Sequence, residues 1–369
     1  SIAFVTGYQP VHTTASTDTE YWTDINSMTA NQAAGDGNVY YAISTDDRTT
    51  WTVIDNTDGE RDIVRNNAGT WQYNSNGTYA SETWVNGATN TELATLAESM
   101  EGASYIAGFD VSTAVFVDSF SVAGQETNPQ GVAFSTDGTK MFVVGNSSDN
   151  VNEYALTTGF DVSTASFTDA FSVAAQEIDP NGLAFNTDGT KMFVIGNTGD
   201  DVNEYALSTG FDVSTASFTD AFSVAGQENF PTAVAFNSDG TKMFIVGTTG
   251  DSVYEYALTT GFDVSTASYS QSFSVTAQET TPQGLAFSTD GTKMFVVGYT
   301  NDNVNEYALT TGFDVSTASF TNSFSIAAQE NLARGLAFNA DGTKMFVVGS
   351  SGDSVYEYTV GTTAYTNQM

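Results

Sequence analysis

The chain of 369 residues contains no cysteine and one histidine, His12. These absences exclude a disulfide framework, thiolate chemistry, a Cys–His pair and a multi-histidine zinc site, and they leave the redox compartment open. His12 reads as a lone surface histidine. Basic residues are nearly as scarce: nine Lys and Arg stand against 44 Asp and Glu, a formal net charge of -35. A field of that sign repels phosphate backbones and anionic membranes, so nucleic acid and lipid surfaces are excluded as partners. No apolar run approaches the roughly 18 residues needed to cross a bilayer, and no charged-then-apolar leader opens the chain. Membrane insertion is therefore not expected. The strand-like opening Ser1-Ile-Ala-Phe-Val5 reads as the ordered part of something longer.

What the chain does have is a repeat. The stretch Gly131-Val-Ala-Phe-Ser-Thr-Asp-Gly-Thr-Lys-Met-Phe-Val-Val-Gly145, followed by Val151-Asn-Glu-Tyr-Ala-Leu156, comes five times at a spacing of 51 residues. A fixed period of that length signals a repeat architecture. In the second copy, Gly182–Phe185, Lys191–Ile195, Val202–Leu207 and Ser217–Val224 read as four successive strands. Short β-branched and aromatic runs between Asp-Gly turns carry that reading. Four antiparallel strands per period predict a propeller blade. The array begins with a lone fourth-type strand, Val115–Val122, and ends at Gly335–Val360 with three strands. The N-terminal strand is thus expected to complete the last blade and remove an open edge. The predicted fold class is all-β: a five-bladed β-propeller of four-stranded blades closed in this way, preceded by a small β-rich domain.

Residues 1–89 lack the repeat and are read as a β-rich attachment or assembly module. Tyr40–Ser44, Thr50–Ile54, Thr70–Tyr73 and Glu82–Val85 are its predicted strands, with Trp51, Trp71 and Trp84 among them. Residues 90–107 are read as a short helix and linker, with Asn90 or Thr91 as cap, Leu93, Leu96, Ala97 and Met100 at helical spacing, and Gly102 as stop. The propeller takes residues 108–369.

Pro180-Asn-Gly-Leu-Ala-Phe-Asn-Thr-Asp-Gly-Thr-Lys-Met-Phe-Val-Ile-Gly196 resembles the YVTN-type propeller repeat, in which Pro-x-Gly and an apolar-Ala-apolar run lead to Asp-Gly and a basic-apolar-aromatic-Val strand. The resemblance spans residues 108–360 and implies a propeller. It departs at Ala233, which holds the Gly position, and at Ala333, which holds the Pro position, implying a differently shaped central loop in those two blades. Tyr40–Trp51 and Asn67–Tyr73 are similar to modules of bacteriophage tail and fibre proteins. That similarity implies a virion appendage.

All five lysines recur at one repeat position, each with a strand glutamate: Lys140 and Glu153, Lys191 and Glu204, Lys242 and Glu255, Lys293 and Glu306, Lys344 and Glu357. If Val144 faces Val151 in the hairpin, Lys140 and Glu153 are diagonal neighbours on one face, which makes these structural charge pairs that fix register. The Asp-Gly turns and the Gly-Phe-Asp-Val-Ser-Thr-Ala segments (residues 108–114 and their copies) are equally uniform and read as turn and connector geometry. Calcium is the metal that loops such as Asn146–Asn150, Asn197–Asp201 and Tyr299–Asn303 would suit, but they lack ordered Asp-x-Asp-x-Asp spacing, so no cofactor is expected. A carbohydrate-active enzyme would need two carboxyls in distinct environments. Nearly every propeller acid recurs in all copies, and the unmatched Asp179 and Asp201 have no evident partner, so no catalytic residue is assigned.

Differences among the copies concentrate on one face, where the loops from fourth to first and from second to third strands emerge. Just before the first strand the copies read Thr127-Asn-Pro-Gln130, Ile178-Asp-Pro-Asn181, Asn229-Phe-Pro-Thr232, Thr280-Thr-Pro-Gln283 and Asn331-Leu-Ala-Arg334. Variation on one rim of a rigid scaffold points to recognition. The candidate ligand-binding residues are Gln130, Asp179, Asn181, Phe230, Thr232, Gln283, Tyr299 and Arg334, a set suited to hydroxyl-rich glycans, with Arg334 available to an acidic sugar. The expectation is a non-enzymatic adhesion or receptor-binding protein, a virion appendage or extracellular surface protein, that contacts a cell-surface glycan or protein. Residues 1–107 would join it to other virion or filament subunits. A structural decoration or appendage subunit of a capsid or filament without its own ligand is one alternative, and a carbohydrate-active enzyme is the other. Homo-oligomerisation is left open, since no heptad signal requires it.

Overall fold

A computed structural model describes residues 108–361 throughout, together with the backbone of seven earlier strands. The chain separates into two compact units, Ser1–Tyr105 and Ile106–Met369. In the first, Gln9–Thr13, Ile2–Thr6, Val39–Ile43, Trp51–Ile54 and Val85–Ala88 lie side by side in that order as a sheet, and Ile63–Arg65 pairs with Trp71–Tyr73 as a hairpin. The last strand of the sheet starts at Val85, where the predicted run ends. The helix predicted over residues 90–100 lies outside the described residues.

The second unit is a five-bladed propeller of four-stranded antiparallel sheets. In the second blade the strands run Pro180–Phe185, Lys191–Gly196, Asp201–Leu207 and Ala216–Ser223, from the axis outwards. The innermost strand is largely buried and the outermost largely exposed. In the last blade Val115–Ser121 pairs with Ser354–Thr359, so the first propeller strand completes the final sheet. Among the described residues, helical structure is confined to five 3-10 turns, one per blade, such as Val162–Thr164. No described helix is long and apolar enough to cross a membrane.

The core lies between blades. Phe142, Val144 and Val151 of the first blade share one apolar cluster with Met192, Val194 and Tyr205 of the second, and four equivalent clusters close the ring. Both faces of each middle strand are therefore buried, which explains why Lys-Met-Phe-Val-Val reads as an unbroken apolar run after its lysine. Apolar burial is what holds neighbouring blades together.

The connectors on one face form a second seam. Phe160, Phe211, Phe262, Phe313 and Phe109 all adopt positive φ, from 56° to 69°, a conformation uncommon for any bulky side chain. Each ring covers an Asp-Gly turn: a Cβ on Gly189 would lie 2.3 Å from the Phe211 ring. Glycine is required there for that contact and for its own φ of 72°. Lys140 Nζ lies 2.7 Å from Glu153 Oε1 and donates at 2.6 Å to the carbonyl of Phe211 in the next blade. The other Glu153 oxygen accepts from the Val213 amide at 3.1 Å. The Lys191–Glu204, Lys242–Glu255, Lys293–Glu306 and Lys344–Glu357 pairs repeat this at 2.6 to 2.9 Å. Val144 does face Val151, which leaves Lys140 opposite Ala155 and diagonal to Glu153.

Candidate binding site at the channel mouth

On the opposite face, the loops entering the first strands and those joining second to third strands meet, as in Asn197 N–H donating to Asp179 O. A buried carboxylate organises each pair of loops. Glu228 is fully buried and accepts from the amides of Phe230 at 2.9 Å, Thr249 at 2.9 Å and Gly250 at 3.1 Å. Glu126, Glu177, Glu279 and Glu330 play the same part. Amide donors substitute for a counter-cation here. The repeated Gln-Glu before each variable segment was the signal for this role, yet spacing alone did not show that the loops fold around the glutamate.

Five of the candidate residues share one structural device. In every innermost strand the register slips between the Pro position and the Gly position, so Gln130, Asn181, Thr232, Gln283 and Arg334 are each the extra residue of a β-bulge. A bulge re-aims a side chain out of the pleat. These side chains reach along the ring of innermost strands: Asn181 Nδ2 donates to Pro231 O at 3.2 Å, Thr232 Oγ1 to Pro282 O at 3.0 Å, and Arg334 Nη1 to Gln283 Oε1 at 3.3 Å. The sequence pattern placed them on rim loops; they are instead buried or half-buried at the mouth of the channel.

The residues that follow them, four glycines and Ala233, let neighbouring inner strands approach closely. A Cβ on Gly182 would meet Ala233 Cα at 2.8 Å, and one on Gly335 would meet Gly131 Cα at 3.0 Å. The inner strands thus converge until little beyond hydrogen fits between them. The departures from the repeat pattern do not reshape the central loops: Ala233 faces Val246 and Ala333 faces Gly349 in the register of every other blade. A first-strand proline needs no ladder donor on a strand whose other edge faces the channel, so alanine replaces it without consequence for pairing.

The mouth is uneven in charge. On the first two blades an amide network runs from Gln130 to Asn128 at 3.0 Å and on to Asn146, whose Nδ2 donates to Asp179 Oδ1 at 2.7 Å. Asn197 Nδ2 donates to Asp179 Oδ2 at 2.9 Å. On the fourth and fifth blades the Arg334 guanidinium stacks 4.6 Å from the centre of the Tyr299 ring. Burial pulls the Arg334 pKa down while the Asp179 charge opposes that shift; an arginine stays protonated regardless. Phe230 stands apart, 56% exposed on the rim with Ile178 and Leu332.

Within the second-to-third-strand loops Asp149, Asp200, Asp251, Asp302 and Asp353 take positive φ, from 44° to 52°. Burial, then the neighbouring Asp201 and Glu228 charges, pushes the Asp200 carboxyl above its ordinary range. Among the described residues no three His, Cys, Asp or Glu side chains converge as a metal centre would need.

No protein-family model matches the sequence, and no curated protein does. Solved structures match the chain at low scores. A putative 6-phosphogluconolactonase from Bacteroides uniformis is 12% identical, with 89% of this chain and 81% of that one covered at a TM-score of 0.41. The Cps50 (Swd1) β-propeller domain of Myceliophteria thermophila is 9% identical over 67% of this chain and 99% of that one, at 0.39. A functionally unknown protein from Desulfotomaculum acetoxidans is 12% identical over 60% of this chain, at 0.38, and this chain spans 62% of its length, under two thirds. At such scores and identities these likenesses bear on neither activity nor substrate. The blade count and closure rest on the strand pairing itself.

Proposed function

We propose that this chain is a non-enzymatic recognition protein whose propeller presents one rim and its channel mouth to a cell-surface glycan or protein. The observation that carries this reading is the asymmetry between faces. One face repeats the Lys–Glu–Phe seam in every blade, whereas the other varies at the residues that bulges aim into the mouth and at the exposed Ile178, Phe230 and Leu332. A scaffold under uniform structural demand on one face, with diverging polar and aromatic groups on the other, suits display of a binding surface. The absence of catalysis is part of the same reading: both oxygens of Asp179, the unmatched acid at the mouth, are held by asparagine amides.

Within this proposal the setting is a virion or extracellular surface, and residues 1–107 anchor the propeller to other subunits. Binding of the intact protein to a glycan array tests it. Discrete hits are expected, and they should weaken in a Phe230→Ala variant; an array without hits opposes the reading.

A second reading, a structural appendage subunit, draws on the perimeter. Each outermost strand has an unpaired edge and one exposed aromatic, Phe116, Phe167, Phe218, Tyr269 or Phe320, between 39% and 46% accessible. Edges of this kind invite lateral association. Incorporation into a larger assembly without glycan binding would favour it.

A further inference from the structure

We infer that the channel mouth is a carboxylate site, built by Arg334 with Tyr299 and Gln283, that takes the acid group of a single uronic-acid-type sugar on an otherwise neutral glycan. The inference rests on the binding role just proposed and names the ligand chemistry of that site.

Every other cation of the described propeller is committed. The five lysines are each ion-paired and each bonded to a neighbouring carbonyl. Arg334 has no carboxylate within ion-pair distance among the described residues, and its side-chain hydrogen bond goes to the neutral Gln283. Its Nε is shielded from solvent with no partner among the described residues, and so is the hydroxyl of the stacked Tyr299. Two orphaned polar groups beside a guanidinium with no direct ion-pair contact among the described residues, on adjacent blades, are costly unless an acceptor completes them. A planar carboxylate matches the guanidinium fork and offers lone pairs to the tyrosine hydroxyl.

The rest of the mouth limits what carries that carboxylate. Asp179, Asn128, Asn146 and Gln130 supply an amide-rich, acidic opposite side. Such groups accept and donate to sugar hydroxyls and repel a second anion. The net charge of -35 disfavours polyanionic chains in the same way. At Gly131, Gly182, Gly284 and Gly335 the neighbouring inner strands approach so closely that an added Cβ would strike them, and the groups that would hold the ligand lie on the variable face.

The repeat supplies a benign variant. Glutamine already occupies this bulge position in the first and fourth blades, as Gln130 and Gln283, so Arg334→Gln removes the charge without asking the strand for anything new. Titrations of the full-length protein by calorimetry with sodium glucuronate, glucose and acetate, repeated with Arg334→Gln and Tyr299→Phe, decide the question. Glucuronate should bind saturably, at least tenfold more tightly than either glucose or acetate. Arg334→Gln should lose that advantage over glucose, and Tyr299→Phe should weaken glucuronate several-fold with an unchanged melting temperature. Glucuronate binding no tighter than glucose, or equal binding by wild type and Arg334→Gln, would overturn the inference. Acetate binding as tightly as glucuronate would overturn the sugar assignment and point to a peptide carboxylate. If neutral glycans bind the array while glucuronate fails in titration, the recognition role stands and only the carboxylate site falls.

Discussion

Phe211 sits at a φ of 58°, and its carbonyl oxygen accepts a 2.6 Å hydrogen bond from Nζ of Lys140 in the preceding blade. A bulky residue in the left-handed region costs about 1–2 kcal/mol, so the contact holds in place a conformation the chain would otherwise leave. Because Lys140 also pairs with Glu153, and Glu153 with the Val213 amide, one cation fixes both the strand register of its own blade and the connector of the next. The last link of the ring, from Lys344 and Glu357 to Phe160 and Val162, uses the same parts.

Replacing Lys140 by methionine leaves Glu153, whose side chain is 6% exposed, without its cation. Breaking a buried pair from one side typically costs about 3–5 kcal/mol; the partly exposed lysine puts the expected loss nearer the lower figure. The double variant Lys140→Met/Glu153→Gln should be less destabilised than the sum of the single changes. Urea denaturation of the full cycle checks this, and additive single effects would refute the coupling.

Glu228→Gln tests the buried carboxylates. Glutamine keeps one acceptor oxygen, so either the Phe230 and Thr249 N–H groups or the Gly250 N–H would face a donor in place of the carboxylate oxygen that accepts from them. Charge-assisted bonds are the strong ones and orphaned buried donors are costly, so a loss of about 2 kcal/mol is expected. Hydrogen exchange should speed up at Thr249 and Gly250 before it does in the middle strands. Unchanged protection there would show that the loops hold themselves.

Much of this was legible in the sequence. Period, strand count, ring closure and the Lys140–Glu153 diagonal follow from the spacing of a few residues and the pleat of a strand. Positions 130, 181, 232, 283 and 334 also stand out in the sequence by their divergence, which places them in loops. A bulge leaves no mark in the pattern, because the extra residue shows only when the strand is laid against its partner. Backbone angles were equally hidden: nothing in Gly-Phe-Asp says that the phenylalanine, rather than the glycine before it, takes the positive φ.

Asp200 predicts a pH effect of definite sign. Burial and the Asp201 and Glu228 charges raise its carboxyl above the usual range, so the folded state disfavours ionisation. Wild-type stability from this group is therefore intact below the ordinary carboxylate pKa, falls as pH rises through the raised value, and stays reduced at neutrality. Asp200→Asn keeps a residue that tolerates positive φ and removes the charge. A gain in stability is expected at pH 7, vanishing near pH 3. Asp188 has the opposite sign: bonds from the Thr190 hydroxyl and amide lower its pKa. Asp188→Ala should therefore destabilise at pH 7, with the difference shrinking in acid. Thermal melts of both variants at the two pH values separate the cases.

Ring closure is the remaining dependence. Val115–Ser121 covers Ser354–Thr359, placing Phe120 opposite Val355 and Phe116 opposite Tyr358. Removing residues 1–106 leaves that strand in place, whereas removing residues 1–123 strips it and bares an apolar edge with the fully buried Tyr358 behind it. An uncovered edge recruits another strand. The shorter truncation should keep the parent's cooperative urea transition. The longer one should run as larger species in light scattering and unfold over a broadened range. Adding a peptide of residues 108–123 should reverse both changes, because the closing strand makes the same ladder whether or not the chain is continuous. Cooperative unfolding of the longer truncation without the peptide would mean that the between-blade cores hold the ring by themselves.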